Sequence, residues 1–215
     1  MEEVIFSEEE TETLKELTSL YRRVKELMIY AEEMDPEKRT FLPPVNELRN
    51  AFDHLMRVYA FKFGLISANS EYVSINLQKT FGHVYRAGYD LLDWTSIQLR
   101  NKILNGVDEF SSETLATVFP KYYQEIRPDL EIASSEISKI RAEKDIGDPD
   151  EDDFIKYIKI IERLKNHLEE IDKIKVSLIE YENEKKKRAR NSRLWQVFFI
   201  IIGTIIGGAI VAILM

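Results

Sequence analysis

Leu14, Leu17, Leu20, Val24 and Met28 recur at three- and four-residue steps among charged neighbours. That period predicts a helix with one buried face. Ser7 stands before the acidic turn Glu8-Glu9-Glu10, the place of an N-cap. Pro36 and Pro43-Pro44 are expected to break the chain, and a second helix is predicted from about 45 to 63. Its core side would carry Leu48, Phe52, Leu55, Tyr59 and Phe63. Ser67-Ala68-Asn69-Ser70 then lead into a third long helix ending near Asn105-Gly106. A fourth begins after Ser111-Ser112, with Pro120 and Pro128 expected to kink or split it. In "KDIGDPDEDDF", Asp148 as N-cap, Pro149 at the first helical position and acids in the first turn mark a helix start; the spacing misses an EF-hand loop. From Asp150 onward Phe154, Tyr157, Ile161, Leu164, Leu168, Ile171, Ile174, Leu178 and Tyr181 keep the helical period. No Gly or Pro separates them from Leu194, so one helix is expected to continue through.

The fold class read from this pattern is all-α: an antiparallel helical bundle, then a long C-terminal helix continuing into a single transmembrane helix. Four regions follow: a bundle over 1–148, an amphipathic helix over 149–184, a basic segment over 185–193 and an apolar segment over 194–215. With 8 Gly and 6 Pro in 215 residues, little interrupts the helices. The absence of Cys excludes disulfides, Cys-ligated zinc and thiol catalysis. His54, His83 and His167 are the three imidazoles. His167, in "ERLKNHLEE", is expected to be solvated.

Charge is divided unevenly. Lys185, Lys186, Lys187, Arg188, Arg190 and Arg193 fall in nine residues without an acid. Removing these six from the 30 basic residues leaves 24 against 38 acidic ones, a net of −14 before position 185. Such a body does not gather nucleic acid non-specifically, because that binding comes from neutralising phosphates. The basic segment suits anionic lipid headgroups instead.

Beyond it, "LWQVFFIIIGTIIGGAIVAILM" runs uncharged from Leu194 to Met215. As a helix it would measure roughly 33 Å, against about 30 Å of hydrocarbon, so a single-pass anchor is expected. Trp195 sits beside the cations as an interfacial aromatic, and the positive-inside rule keeps the N-terminal bulk cytosolic at the cytoplasmic membrane. Nothing is expected on the far side. Gly203 and Gly207 form a GxxxG pair, and Gly208 with Ala212 repeats the small-residue spacing one position over. Small residues let membrane helices approach closely, so a homo-oligomer is expected.

The candidate chemistry lies on the second helix, in "NELRNAFDHL". Arg49, Asn50 and His54 share it; Asn50 and His54, one turn apart, can meet, and Arg49–Asp53 and Asp53–Arg57 are spaced for ion pairs. On the third helix, in "FGHVYRAGYDLLDW", His83, Arg86 and Asp90 follow at one-turn intervals beside Tyr85, Tyr89 and Trp94. If the two helices pack antiparallel, His54, Arg49, His83 and Arg86 would converge on a polar pocket. Two salt-bridged helix surfaces explain the same residues.

"LRNAFDH" is similar to the motif of the HEPN family: an arginine, a polar residue, three variable positions and a histidine. The resemblance covers one helix, with fold-level similarity over residues 7 to 145. It implies an all-helical bundle, often dimeric with the motifs of two subunits facing one another. In the family's ribonucleases the motif supports RNA cleavage without metal. Carried over, His54 would be the general acid or base, Arg49 would hold the scissile phosphate and Asn50 would orient them. An imidazole suits proton transfer near neutrality and a guanidinium fork suits a phosphate.

No GxxxxGK, GxGxxG, HExxH or GxSxG occurs, so no nucleotide cofactor, other cofactor or metal is expected. Three functions fit. One is a membrane-anchored, oligomerising HEPN-like effector that perturbs the membrane, as in CRISPR-associated and other prokaryotic defence proteins with a transmembrane helix. The second is a membrane-tethered, metal-independent endoribonuclease. The third is a non-enzymatic adaptor at the membrane. The partners expected are the bilayer, a second copy, and RNA or a protein trigger.

Overall fold

The computed structural model describes residues 5–35, 41–143 and 151–214, the side chains of 151 and 204–214 excepted. The helices are α1 (Glu8–Met34), α2 (Leu42–Lys62), α3 (Tyr72–Asn105), α4 (Ser112–Val118), a π-helical turn (Tyr122–Ile126), α5 (Arg127–Glu143) and α6 (Glu151–Leu214). There is no strand among the described residues. The helix start expected at Asp148-Pro149 and the break at Pro36 lie outside them.

Packing divides the chain into two units. The first is Met1–Lys102 with Leu130–Asn166; the second is Ile103–Asp129 with His167–Met215.

In the first unit α1 opens as its sequence predicts. The Ser7 hydroxyl accepts from the Glu10 amide at 3.1 Å, and the Glu10 carboxylate accepts from the Ser7 amide at 2.8 Å. This capping box satisfies two of the helix's orphan donors. Ser7→Ala is expected to cost about 1 kcal/mol, read as an earlier midpoint in urea unfolding. Glu10 also receives Lys62 Nζ at 2.5 Å, which straps α1 to the end of α2. Pro43 and Pro44 do not separate α2 from the preceding chain as expected. They sit in its first turn, where a missing N–H leaves nothing unsatisfied.

The buried line of α2 also differs from the expected stripe. Pro44, Ala51 and Val58 are buried, whereas Phe52 and Phe63 are 61% and 58% exposed. Apolar residues occur on both sides of this helix, and α3 packs the smaller side. Gly64 ends the segment at φ +70°, a left-handed conformation that glycine adopts without a Cβ penalty.

Four rings form the centre of the first unit. Tyr85, Tyr89, Phe154 and Tyr157 are almost wholly buried, with neighbouring centroids 4.8 to 6.1 Å apart. The Tyr157 hydroxyl donates to Asp93 at 2.8 Å, and burial pushes its pKa far above that of a free phenol. Gly88 admits this cluster: a Cβ there would lie 2.7 Å from the Phe154 ring and 3.0 Å from a methyl of Val24.

Buried in the second unit are Ile103, Val107, Phe110, Leu115, Phe119, Tyr122 and Ile126, together with Ile171 and Leu178 of α6. Pro120 closes α4. Pro128 lies just after the π turn, where the Arg127 amide bonds the Tyr122 carbonyl five residues back. A proline lacks the α-helical donor and crowds the carbonyl four residues before it, and the wider turn relieves that crowding.

His167 is not solvated as expected. Its Nε2 lies 2.8 Å from Asp129, with the side chain 14% exposed. Asp129 comes from a distant stretch of chain, so the charges flanking His167 in sequence do not decide its surroundings.

Within this unit α6 passes the basic segment without a break. Lys185 bonds Glu113 at 2.6 Å and the Ser111 hydroxyl at 2.9 Å; Glu182 accepts from the Thr114 hydroxyl. Beyond them Leu194, Trp195, Val197, Phe198, Phe199, Ile200 and Ile201 are all exposed. Among the described residues no helix is long and apolar enough to cross a membrane. The described side chains of this apolar segment stop at Gly203, about half the length that a span requires.

Candidate functional site

Five contacts fix the pairing of α2 with α3. Phe41 stacks on Trp94, Glu47 bonds His83 and Arg86, His54 bonds Asn76, and Phe61 meets Tyr72. As the number rises on one helix it falls on the other, so the two are antiparallel.

This pairing brings His54 over His83, ring centroids 5.3 Å apart and planes within 17°. Each imidazole then reaches a polar residue of the opposite helix. His54 Nδ1 lies 2.9 Å from Asn76 Oδ1, and His83 Nδ1 lies 2.7 Å from Glu47 Oε2. The arrangement is reciprocal in sequence as well as in space. Glu47 precedes His54 by seven residues and Asn76 precedes His83 by seven, two helical turns in each case. An antiparallel pair with that spacing places each histidine opposite the other helix's polar residue.

The hydrogen bonds define the His54 tautomer. Asn76 Nδ2 donates to the Tyr72 carbonyl at 2.8 Å, so its Oδ1 faces His54 and must accept. His54 Nδ1 therefore carries a proton, and Nε2 is the lone-pair nitrogen of the neutral ring. His83 Nδ1 is placed differently. Arg86 Nη2, which only donates, and the Glu47 carboxylate, which only accepts, both lie 2.7 Å from it. It can satisfy just one of them at a time. Arg86 Nε donates independently to Glu47 at 2.9 Å.

Burial opposes charge on Glu47, but the bonds from His83 and Arg86 outweigh it and hold the carboxyl below its usual pKa. Glu47 and Arg86 are 25% and 29% exposed, so water screens part of this attraction.

Of the sequence candidates, His54, His83 and Arg86 come together as expected. Arg49 does not join them. It is exposed and makes no ion pair among the described residues, while Asp53 pairs with Arg57 at 2.8 Å. Asn50 is half-buried and Asn76 takes the place expected for it beside His54. Asp90 lies half-buried, one turn beyond Arg86. Glu47 and Asn76 were not among the sequence candidates; their seven-residue spacing from the two histidines is the signal that finds them.

The second group of candidates lies in the second unit. Lys185 and Arg188 are tied to acids, Arg188 to Glu184 at 3.1 Å, while Lys186, Lys187, Arg190 and Arg193 are exposed. Trp195 packs with Phe198 and Phe199 at 5.7 and 6.0 Å. Gly203 has nothing within 4 Å of where a Cβ would stand. Gly207 and Gly208 lie outside the described side chains. Among the described residues no three His, Asp or Glu are grouped to hold a metal ion.

Comparison with protein-family models, with curated proteins and with solved structures finds no match to this chain.

Proposed function

We propose that this chain is a membrane-anchored, self-associating helical effector that acts at the cytoplasmic membrane, with a HEPN-like α2–α3 pair as its regulatory element. Membrane perturbation in prokaryotic defence is the activity proposed for it. The observation that carries the anchor is the set of seven exposed apolar side chains between Leu194 and Ile201, interrupted only by Gln196, directly after the cations on an unbroken α6. A helix apolar on every side has no favourable place in water, and a bilayer supplies the missing environment. The open space around Gly203 suits close approach of a second helix. A regulatory role for the histidine pair is favoured because Arg49, the phosphate ligand that the HEPN resemblance implies, stands apart from it.

Three measurements on the expressed full chain test this reading. The protein is expected to resist carbonate extraction from membranes. It is also expected to form oligomers in detergent and to depolarise cells when expressed. Gly203→Ile with Gly207→Ile should abolish oligomers and depolarisation while leaving the protein in the membrane. Extraction by carbonate would refute the anchor. A monomer that leaves the potential unchanged would refute the effector and leave the adaptor and endoribonuclease roles.

One observation favours the endoribonuclease as a second reading. With Nδ1 committed to Asn76, His54 keeps Nε2 as a nitrogen able to take a proton. RNA cutting without metal by the full chain in detergent, lost in His54→Ala, would establish it.

A further inference from the structure

The six cations before the apolar segment are not equivalent. Lys185 is occupied by Glu113 and Ser111, and Arg188 by Glu184. Lys186, Lys187, Arg190 and Arg193 are exposed and make no ion pair among the described residues. A helix turns about 100° per residue, so Lys186, Arg190 and Arg193 lie within roughly 60° of one another. They form one stripe about 10 Å long. Lys187 falls to the side. The aromatic group of Trp195, Phe198 and Phe199 falls on the opposite face, below Arg188.

We propose that the Lys186–Arg190–Arg193 face of α6 binds the phosphate of an anionic phospholipid. The proposal rests on the membrane reading above and adds a ligand to it. Arg190 and Arg193 stand within about 6 Å of Leu194 along the helix, the depth of one headgroup layer. Lys186 is one turn further away and reaches back along its four-carbon stem. Two guanidinium forks and one ammonium converging from a single face match the oxygens of one phosphate. No acid lies between Lys185 and Gly203 to compete for them. Charge complementarity therefore favours an anionic headgroup over a zwitterionic one, whose own ammonium is repelled by the stripe.

The test uses the full chain reconstituted into phosphatidylcholine vesicles containing one-tenth phosphatidylglycerol. Carbonate resistance is checked first; the protein is then purified in detergent and its retained lipids are quantified. The ratio of phosphatidylglycerol to phosphatidylcholine in the retained lipid is expected to be about tenfold that of the vesicle. Lys186→Gln with Arg190→Gln and Arg193→Gln should return the ratio to that of the bulk. Lys185→Gln with Lys187→Gln and Arg188→Gln removes the same charge from other faces and should keep most of the enrichment. Circular dichroism confirms that each variant remains helical, and single Arg190→Gln and Arg193→Gln variants replace a triple that does not. Equal loss in both triples would mean a diffuse attraction and would overturn the proposal. So would an inserted wild type without enrichment, which leaves the anchor intact. A stripe variant that changes oligomer size without changing its lipids would assign this face to a second copy instead. Wild type stripped off by carbonate would remove the membrane reading itself.

Discussion

Gly88→Ala is expected to unfold earlier than the parent protein, by about 1–2 kcal/mol, although alanine is the better helix former. Two effects oppose each other at this position. Replacing a mid-helix glycine gains about 1 kcal/mol of helix propensity. The new methyl, however, would stand 2.7 Å from two carbons of Phe154 and 3.0 Å from Val24. Phe154 is fully buried against Tyr85 and Tyr89, so it has no free volume into which to retreat. Overpacking of this kind costs about 1–3 kcal/mol, and with the ring enclosed on both sides the upper part of that range applies, so it should win. The readout is the helical melting curve of the detergent-solubilised chain, with Tm falling by about 3–6 °C. Phe154→Leu removes the clashing ring edge. In that background Gly88→Ala should cost less than it does alone, a coupling that a double-mutant cycle isolates. An alanine variant as stable as the parent would mean that the close approach of α1, α3 and α6 at Gly88 is wrong.

The features that local chemistry decides were legible in the sequence. Ser7 caps α1 because a hydroxyl before three acids has few better partners than the first amides of the helix. The period of α6 correctly marks Phe154, Tyr157, Ile161, Leu164, Ile171 and Leu178 as buried, since a single long stripe leaves little choice of face. The second helix offered two stripes. Nothing within residues 45 to 63 says which one α3 covers, and the line that looked more apolar holds the exposed Phe52 and Phe63. His167 failed for the same reason: its partner Asp129 is remote in sequence.

The candidate site divides along the same boundary. Antiparallel packing of α2 on α3 predicts the meeting of His54, His83 and Arg86. Whether Arg49 takes part depends on the rotation of α2 about its axis, which one helix's sequence leaves open. A single rotation therefore explains both departures. It turns Ala51 and Val58 inward and leaves Phe52 and Arg49 facing away. The unsplit α6 depends on no such choice, because neither Gly nor Pro interrupts the backbone bonding between Glu151 and Leu194.

Glu47→Gln should lower stability by about 1–2 kcal/mol at neutral pH and change how that stability depends on acid. The carboxylate is the shared acceptor of His83 and Arg86, so its neutralisation leaves a guanidinium with a weaker partner. Breaking a fully buried pair costs about 3–5 kcal/mol, and solvent reaching these side chains justifies the smaller figure. The folded protein holds the Glu47 pKa below its usual value, so the unfolded chain takes up the proton first as pH falls. Its stabilisation is thus complete above the unfolded value near 4.5 and disappears as pH drops through the lower folded one. Melting temperatures of parent and variant, measured from pH 7 to pH 3, should differ most near neutrality and converge below about 4.5. Glu10 is also held low, because Lys62 and Ser7 outweigh its burial, and it titrates with the same sign. Its contribution is common to both proteins and cancels in the difference. A gap that stays constant down to pH 3 would mean that Glu47 acts through packing alone, and the electrostatic account of the histidine pair would fail.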